Sequence, residues 1–125
     1  MNPIPADEIL PNLYLGDGRD LIEFNGSVVY VREDIPLKSR PDARWITFHR
    51  DGKADTAKLD EAAAAIDELL TQGDRVFVHC GAGTKRSPLA VAWYLHRYKG
   101  MTLDQAYTFI QAKRPIVLRM TDWLR

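Results

Sequence analysis

A strand, a loop of small residues and a helix follow one another directly in this chain, and no other segment constrains the fold as strongly. The apolar run Arg75–Val78 leads into the loop His79–Ser87, and a helix is predicted to begin near Pro88. A continuous apolar run is typical of a strand buried on both faces of a parallel sheet. Because parallel strands need a crossover connection, usually a helix, this unit favours an α/β architecture.

The rest of the chain alternates strands and helices in the same way. Strands are predicted where β-branched, aromatic and other apolar residues cluster, at residues 13–15, 28–31, 45–48 and 76–78. Helices are predicted at residues 56–72, from Pro88 towards Gly100, and from Leu103 to just before Pro115. We expect a single α/β domain, residues 1–125, with a central, mostly parallel sheet flanked by helices.

Charge and cysteine content exclude several classes of partner. The chain has 17 basic and 17 acidic residues, so no basic excess predicts a nucleic-acid partner. No stretch approaches the roughly 20 apolar residues of a membrane span, and the first residues lack the pattern of a signal peptide. The only cysteine excludes an internal disulfide and fits a reducing compartment. We expect a cytoplasmic monomer without stable membrane insertion, metal or other cofactor, since the three histidines lie far apart in the sequence.

The loop from His79 to Ser87 is predicted to bind an anion. Between a strand end and a helix start, unpaired backbone N–H groups gather around one point. Five residues separate Cys80 from Arg86, so the chain can curl into a cup whose rim the guanidinium closes by binding two phosphate oxygens. The residues predicted to bind the phosphate are Gly81, Ala82, Gly83, Thr84, Lys85 and Arg86.

Cys80 is the candidate nucleophile inside this cup. N–H dipoles, a helix N-terminus and a nearby guanidinium all favour the thiolate, which is the form that attacks. Phosphoryl transfer builds charge on the equatorial oxygens, towards which these donors are directed. The hydroxyl of Ser87 could donate to the sulfur and help the thiolate leave. The pattern predicts thiolate attack on a phosphate ester, with Cys80, Arg86 and Ser87 as catalytic residues.

The run from His79 to Ser87, His-Cys-x5-Arg-Ser, resembles the signature loop of the cysteine-dependent protein tyrosine phosphatases. The rest of the chain resembles their compact dual-specificity branch at Ile9–Asp17, Gly100–Ala106 and Lys113–Pro115. The resemblance implies hydrolysis of phosphorylated proteins or peptides through a phosphocysteine, with His79 helping to hold the loop. The chain departs from the family at Arg119-Met120, where a Pro-Asn pair is usual.

An aspartate upstream of the cysteine is the family's usual general acid, and two residues are candidates. Asp51 follows a predicted strand and precedes Gly52, which suits an acid on a loop. Asp55 lies where the N-cap of the next helix is expected. We predict that Asp51 protonates the leaving oxygen and keep Asp55 as the alternative.

Substrate class remains open between several possibilities. The small size of the chain predicts a shallow pocket that admits phosphotyrosine as well as phosphoserine and phosphothreonine. Lys85 adds a cation at the rim of the loop, which keeps phosphoinositide hydrolysis as an alternative. A phospho-binding module without turnover is a further alternative, although pure binding does not require the nucleophile Cys80.

Overall fold

The computed structural model describes residues 6–16, 24–31, 44–46, 54–80 and 85–124. The strands in these ranges are β1 (Ala6–Leu10), β2 (Leu13–Gly16), β3 (Ser27–Val31), β4 (Arg44–Ile46) and β5 (Val76–His79). The helices are α1 (Thr56–Thr71), α2 (Arg86–Tyr98) and α3 (Leu103–Lys113), followed by a C-terminal 3-10 turn (Thr121–Leu124). Helices follow or separate the later strands, as the sequence pattern predicts.

β5 lies at the centre of the sheet, whose strand order is β1-β2-β5-β3-β4. Both neighbours of β5 run parallel to it, β4 runs parallel to β3, and β1 pairs with β2 in the antiparallel sense. All residues of β5 are buried, as expected for a strand covered on both faces. The predicted α/β fold with a mostly parallel sheet is confirmed, and the carboxyl ends of the parallel strands meet at one edge.

β5 is fixed by packing on both faces of the sheet. Val76 and Val78 belong to the main core cluster, together with apolar residues of α1, α2 and α3. Phe77, between them, belongs to a smaller cluster with Phe24 and Val28. Because successive residues of a strand point to opposite faces, the two clusters lie on the two sides of the sheet. The described helices therefore cover one face, and β5 cannot shift without disturbing both clusters.

Local sequence signals set the helix ends. Asp55 caps α1, since its carboxylate accepts a hydrogen bond of 2.9 Å from a first-turn N–H. Thr102 and Gln105 form the predicted capping box of α3. Gly73 and Gly100 follow α1 and α2 with φ of +85° and +72°, the left-handed conformation that glycine adopts most readily.

Two elements differ from the sequence predictions, and a third is described only in part. β1 is not predicted, because the carboxylates of Asp7 and Glu8 lower its strand propensity; pairing with β2 through a turn at Asn12 stabilises it. α2 begins at Arg86 rather than near Pro88, since proline is tolerated throughout a first turn. The predicted strand 45–48 is described only as far as residue 46, and residues 47–48 lie outside the described ranges.

Candidate active site

The carboxyl end of β5 carries Cys80 to the start of α2. Cys80 follows the last residue of the strand and is only 7% exposed. α2 begins at Arg86, and its N-cap, Lys85, makes no side-chain capping hydrogen bond. The positive end of the helix dipole therefore lies at the loop that contains the thiol, an arrangement that favours a bound anion.

Cys80 and Ser87 form a direct buried contact. The Cys80 Sγ and Ser87 Oγ atoms are 3.2 Å apart, within hydrogen-bonding distance for sulfur. Ser87 is fully buried in the first turn of α2, so water does not compete for its hydroxyl. A hydroxyl can donate to a thiolate and equally accept from a thiol, so the contact persists in either state of Cys80. The structure thus brings together the two side chains that the sequence analysis paired, with the Cys80 thiol donating to the Ser87 hydroxyl.

His79 is packed beside Cys80, the candidate nucleophile. Its side chain is 7% exposed, and its ring stacks on Tyr30 of β3 with 5.3 Å between centroids. Phe77 meets the same ring edge-on at 6.1 Å. Tyr30 and His79 are register partners in the parallel β3–β5 pair. The stacking therefore fixes the end of β5 to its neighbour at the point where the loop begins.

Two cations occupy the start of α2. Arg86 is the first helical residue and is half-buried, whereas Lys85 before it is exposed. Five predicted site residues lie outside the described ranges, namely Asp51, Gly81, Ala82, Gly83 and Thr84. The described part of the candidate site therefore consists of the Cys80 thiol, its hydroxyl partner, the buried histidine and these two cations.

Asp55, the alternative acid, is engaged as a helix cap. Its Oδ1 accepts the Ala57 N–H at 2.9 Å, and its backbone is extended, as is usual at an N-cap. A carboxylate that moved away to protonate a substrate would leave this N–H without its partner. The geometry favours a structural role for Asp55 and leaves Asp51 as the candidate acid.

Two contacts elsewhere in the described residues are not predicted from the sequence. The Ala54 N–H, just before α1, donates to the Trp123 carbonyl at 2.8 Å. Arg114, with only 7% of its side chain exposed, forms an ion pair of 3.0 Å with Asp7 of β1. Both contacts join segments far apart in the chain, so no periodicity or local motif reveals them.

A buried thiol at the end of a central parallel strand, bonded to a hydroxyl in the next helix, is the architecture of a cysteine-based phosphatase. The chain belongs to the family of dual specificity phosphatase catalytic domains, which matches residues 31–125. Dual specificity protein phosphatase 1-B of Xenopus laevis is 35% identical over 120 residues, covering 88% of this chain and 32% of that protein. Human dual specificity protein phosphatase 1 is 33% identical over 120 residues, covering 88% and 33% respectively.

The fold is shared with solved structures of the same architecture. The crystal structure of human tyrosine phosphatase-like serine/threonine/tyrosine-interacting protein superposes with a TM-score of 0.80 at 20% identity, covering 95% of this chain and 90% of that chain. At this identity the likeness concerns the fold alone. The chain spans about a third of the length of the curated relatives it matches. Among the described residues, no helix is both long enough and apolar enough to cross a membrane.

Proposed function

We propose that this domain hydrolyses phosphate monoesters on protein side chains, phosphotyrosine as well as phosphoserine and phosphothreonine, through a phosphocysteine intermediate. The observation that carries the proposal is the buried contact of 3.2 Å between Cys80 Sγ and Ser87 Oγ at the N-terminus of α2. Membership of the dual specificity phosphatase family supports it. A module that only binds phosphate has no need of a thiol whose sulfur is bonded to a hydroxyl.

In the first step, the Cys80 thiolate attacks phosphorus and the bond from phosphorus to the ester oxygen breaks. Asp51 gives its proton to that oxygen, which leaves as the neutral tyrosine, serine or threonine side chain. Arg86 and the loop N–H groups bind the equatorial oxygens, on which negative charge develops. The product of the step is a phosphate group bonded to the Cys80 sulfur.

In the second step, a water oxygen attacks phosphorus and the bond from sulfur to phosphorus breaks. The Asp51 carboxylate takes the proton of that water, and inorganic phosphate leaves. Cys80 returns as a thiolate, and the Ser87 hydroxyl stabilises it by donating a hydrogen bond to the sulfur. No metal or other cofactor takes part in either step of this scheme.

The substrate is a phosphorylated protein or peptide in this proposal. Exposed Lys85, beside Arg86 at the start of α2, favours ester substrates that carry a further negative charge near the phosphate. A phosphoinositide has the same feature and is the alternative substrate class. A panel of phosphopeptides and short-chain phosphoinositides, compared by kcat/KM, separates the two.

The test is hydrolysis of an aryl phosphate in excess chelator by the parent protein and by Cys80→Ser. We expect chelator-resistant activity in the parent and none in the variant, together with a phosphoenzyme that is trapped by acid quench only in the parent. Arg97→Ala, which changes an exposed cation on α2 away from the loop, is the control and should retain activity. Activity that survives Cys80→Ser would exclude Cys80 as the nucleophile. An inactive parent that binds phosphate analogues would indicate a binding module.

A further inference from the structure

We infer that Tyr30 is a positioning residue for the attack of Cys80 on phosphorus, acting through the ring of His79. The inference rests on the proposed function, in which the Cys80 thiolate is the nucleophile. Tyr30 lies in β3, outside the residues that the sequence predicts for the site. Its ring contacts the residue directly before the thiol, so one ring contact and one peptide bond connect Tyr30 with Cys80.

Among the described strand pairs, the last residue of β5 has a partner on one side only. β2 pairs with β5 as far as Val78, whereas β3 pairs with it as far as His79. Tyr30 is the residue of β3 that lies opposite His79 in this register. Directly before Cys80, β3 is therefore the described strand that holds the backbone of β5.

Tyr30 is itself held in place by its neighbours in β3. Val29 and Val31 are fully buried and belong to the main core cluster, on the face that the described helices cover. Because successive side chains of a strand point to opposite faces, the Tyr30 ring lies on the other face, where the residue is only 5% exposed. A ring anchored in this way can hold a second ring in position.

The rings of Tyr30 and His79 meet in a stacked arrangement. Their centroids are 5.3 Å apart and their planes differ by 25°, a separation typical of interacting aromatic rings. Phe77 meets the same imidazole at 6.1 Å, with 82° between the planes. One nearly parallel ring and one nearly perpendicular ring therefore hold the imidazole, and rotation about its side-chain bonds would disturb both contacts.

The Cys80 sulfur is held from two directions. On the helix side, its Sγ atom lies 3.2 Å from the Ser87 Oγ atom at the start of α2. On the strand side, Cys80 is bonded directly to His79, whose ring stacks on Tyr30. Hydrogen bonds weaken steeply when their geometry is distorted, so a shift of the His79 backbone would weaken the contact of the sulfur with Ser87.

Attack on phosphorus depends strongly on the position of the sulfur. The reacting atoms must lie about 3–3.5 Å apart with their orbitals aligned, and a displacement of about 1 Å can reduce the rate about 10²-fold. Removing the Tyr30 ring takes away the nearly parallel contact of the imidazole and gives the end of β5 more freedom. We therefore expect slower attack by Cys80 when Tyr30 loses its ring.

The experiment measures kcat/KM for 2,4-dinitrophenyl phosphate, an activated ester whose leaving group departs without a proton from an acid. For this ester, kcat/KM reports the attack by the Cys80 sulfur. We expect Tyr30→Leu to reduce kcat/KM about tenfold, the effect of a partial displacement of the sulfur. Tyr30→Phe keeps the ring and should remain within about twofold of the parent.

Phe24→Leu is the matched control for loss of a buried aromatic ring. Phe24 is 8% exposed and packs on Tyr14 and Phe77, in the cluster on the same face of the sheet as Tyr30. Its replacement should lower the free energy of unfolding, as the loss of buried aromatic contacts does. At a temperature where all variants are folded, Phe24→Leu should change kcat/KM less than about twofold.

An NMR measurement follows the stacking without any need for activity. The chain has three histidines, and the ring resonances of His79 are those that disappear in His79→Gln. We expect the parent and Tyr30→Phe to share a ring-current shift of these resonances and Tyr30→Leu to lose it. Identical His79 resonances in all three proteins would show that the rings do not stack in solution and would overturn the inference.

A double variant shows whether Tyr30 acts through His79. In a His79→Ala background, Tyr30→Leu should cause no further loss of kcat/KM, because the ring that it holds is already absent. A full additional loss in that background, or no loss in Tyr30→Leu alone, would overturn the inference. So would a loss in Tyr30→Phe or Phe24→Leu equal to that in Tyr30→Leu. Tyr30→Met, which also lacks an aromatic ring, provides the same contrast if Tyr30→Leu fails to fold.

Failure of this inference and failure of the proposed function are distinguishable. If the parent shows no hydrolysis that depends on Cys80, the proposed function is wrong and the positioning role falls with it. If hydrolysis that depends on Cys80 is present and Tyr30→Leu keeps the kcat/KM of the parent, the thiolate chemistry stands and the positioning inference alone is overturned.

Discussion

At the scale of single residues, the Cys80–Ser87 contact places a hydroxyl beside the sulfur that becomes the leaving group in the second step of the proposed reaction. The sulfur departs with a negative charge, and the Ser87 hydroxyl, which accepts from the thiol at 3.2 Å in the structure, can donate to that thiolate. Both side chains are buried, so the bond acts in a medium of low dielectric constant, where it is stronger than in water. The contact should therefore stabilise the departing thiolate more than it assists the initial attack.

Replacing Ser87 by alanine tests this division between the two steps. A hydrogen bond to a charged group contributes about 1.5–3 kcal/mol, which corresponds to a decrease of roughly ten- to hundredfold in the rate of phosphocysteine hydrolysis. We expect a rapid burst of aryl alcohol, stoichiometric with enzyme, followed by slow turnover in a rapid-quench experiment. Ser27→Ala, which removes a hydroxyl bonded to Asp74 away from the site, is the control. A Ser87→Ala variant without a burst would show that the first step is the one affected.

Substitutions at the two candidate acids should have different effects. One should lower the rate, and the other should lower the stability of the fold. Asp51→Asn should lower kcat for phenyl phosphate by about 10²- to 10⁴-fold while affecting an activated ester far less. Asp55→Ala should remove the cap of α1 and reduce the free energy of unfolding by about 1 kcal/mol. Denaturant unfolding and the ratio of rates for the two esters measure the two effects. If Asp55→Ala shows the leaving-group dependence instead, Asp55 is the acid.

At the scale of elements, the strand junction before β3 is packed with no room for a side chain. A Cβ on Gly26 would lie 2.4 Å from the Arg75 carbonyl oxygen and 2.7 Å from a ring carbon of Phe24. The same carbonyl accepts the Ser27 N–H at 2.8 Å, so the backbone cannot withdraw without breaking that bond. This junction fixes where β3 enters the sheet beside β5.

Gly26→Ala should therefore destabilise the domain through a backbone clash. Overpacking of this kind costs about 1–3 kcal/mol, and we expect a loss in the upper part of that range by denaturant unfolding. Gly73→Ala is the comparison, because a Cβ there meets nothing within 4 Å and the cost comes from φ of +85° alone, about 1 kcal/mol. An equal or smaller loss at Gly26 would contradict the clash.

The sequence predicted those structural features that depend on residues close together in the chain. The capping box at Thr102 and the glycine stops of α1 and α2 depend on neighbouring residues, and the structure confirms them. β1 was not predicted, because its carboxylates give it a low strand propensity. Pairing with β2 at the edge of the sheet stabilises it instead. The bond from Ala54 to Trp123 escaped because nothing local specifies it. Among the site residues, the contact of Cys80 with Ser87 was predictable from loop chemistry, whereas the stacking of His79 on Tyr30 was not, because it depends on the pairing of two strands distant in the sequence.

At the scale of the whole molecule, one buried phenol links stability to alkaline pH. Burial raises the pKa of Tyr107 from its ordinary value of 10.0 to about 12. The folded state favours the neutral phenol, because its side chain is fully enclosed in the core. The stability that the buried neutral phenol contributes is fully present below the pKa of the unfolded state, near 10. It is lost as pH rises through the pKa of the folded state, near 12.

Tyr107→Phe should flatten the dependence of stability on alkaline pH. The parent should lose roughly 2 kcal/mol more than the variant between about pH 10 and 12, because a tenfold change in a proton-binding constant corresponds to about 1.4 kcal/mol. Denaturant unfolding at several pH values measures the difference. Tyr94→Phe is the comparison variant. It should change the alkaline dependence in the same direction, since burial also raises the pKa of Tyr94. Identical alkaline profiles for the parent and Tyr107→Phe would refute the assignment.

The order of the strands in the sheet has a consequence for synthesis of the chain. β5 lies between β2 and β3, although both precede it in the sequence. Before β5 exists, the described strands of the emerging chain form two separate pairs, β1 with β2 and β3 with β4, and a two-stranded pair is marginal alone in water. The sheet can therefore close only when the segment that ends at Cys80 has left the ribosome. The strand that carries the candidate nucleophile is also the one that joins the two halves of the described sheet, so the sheet cannot close without bringing Cys80 to its carboxyl edge.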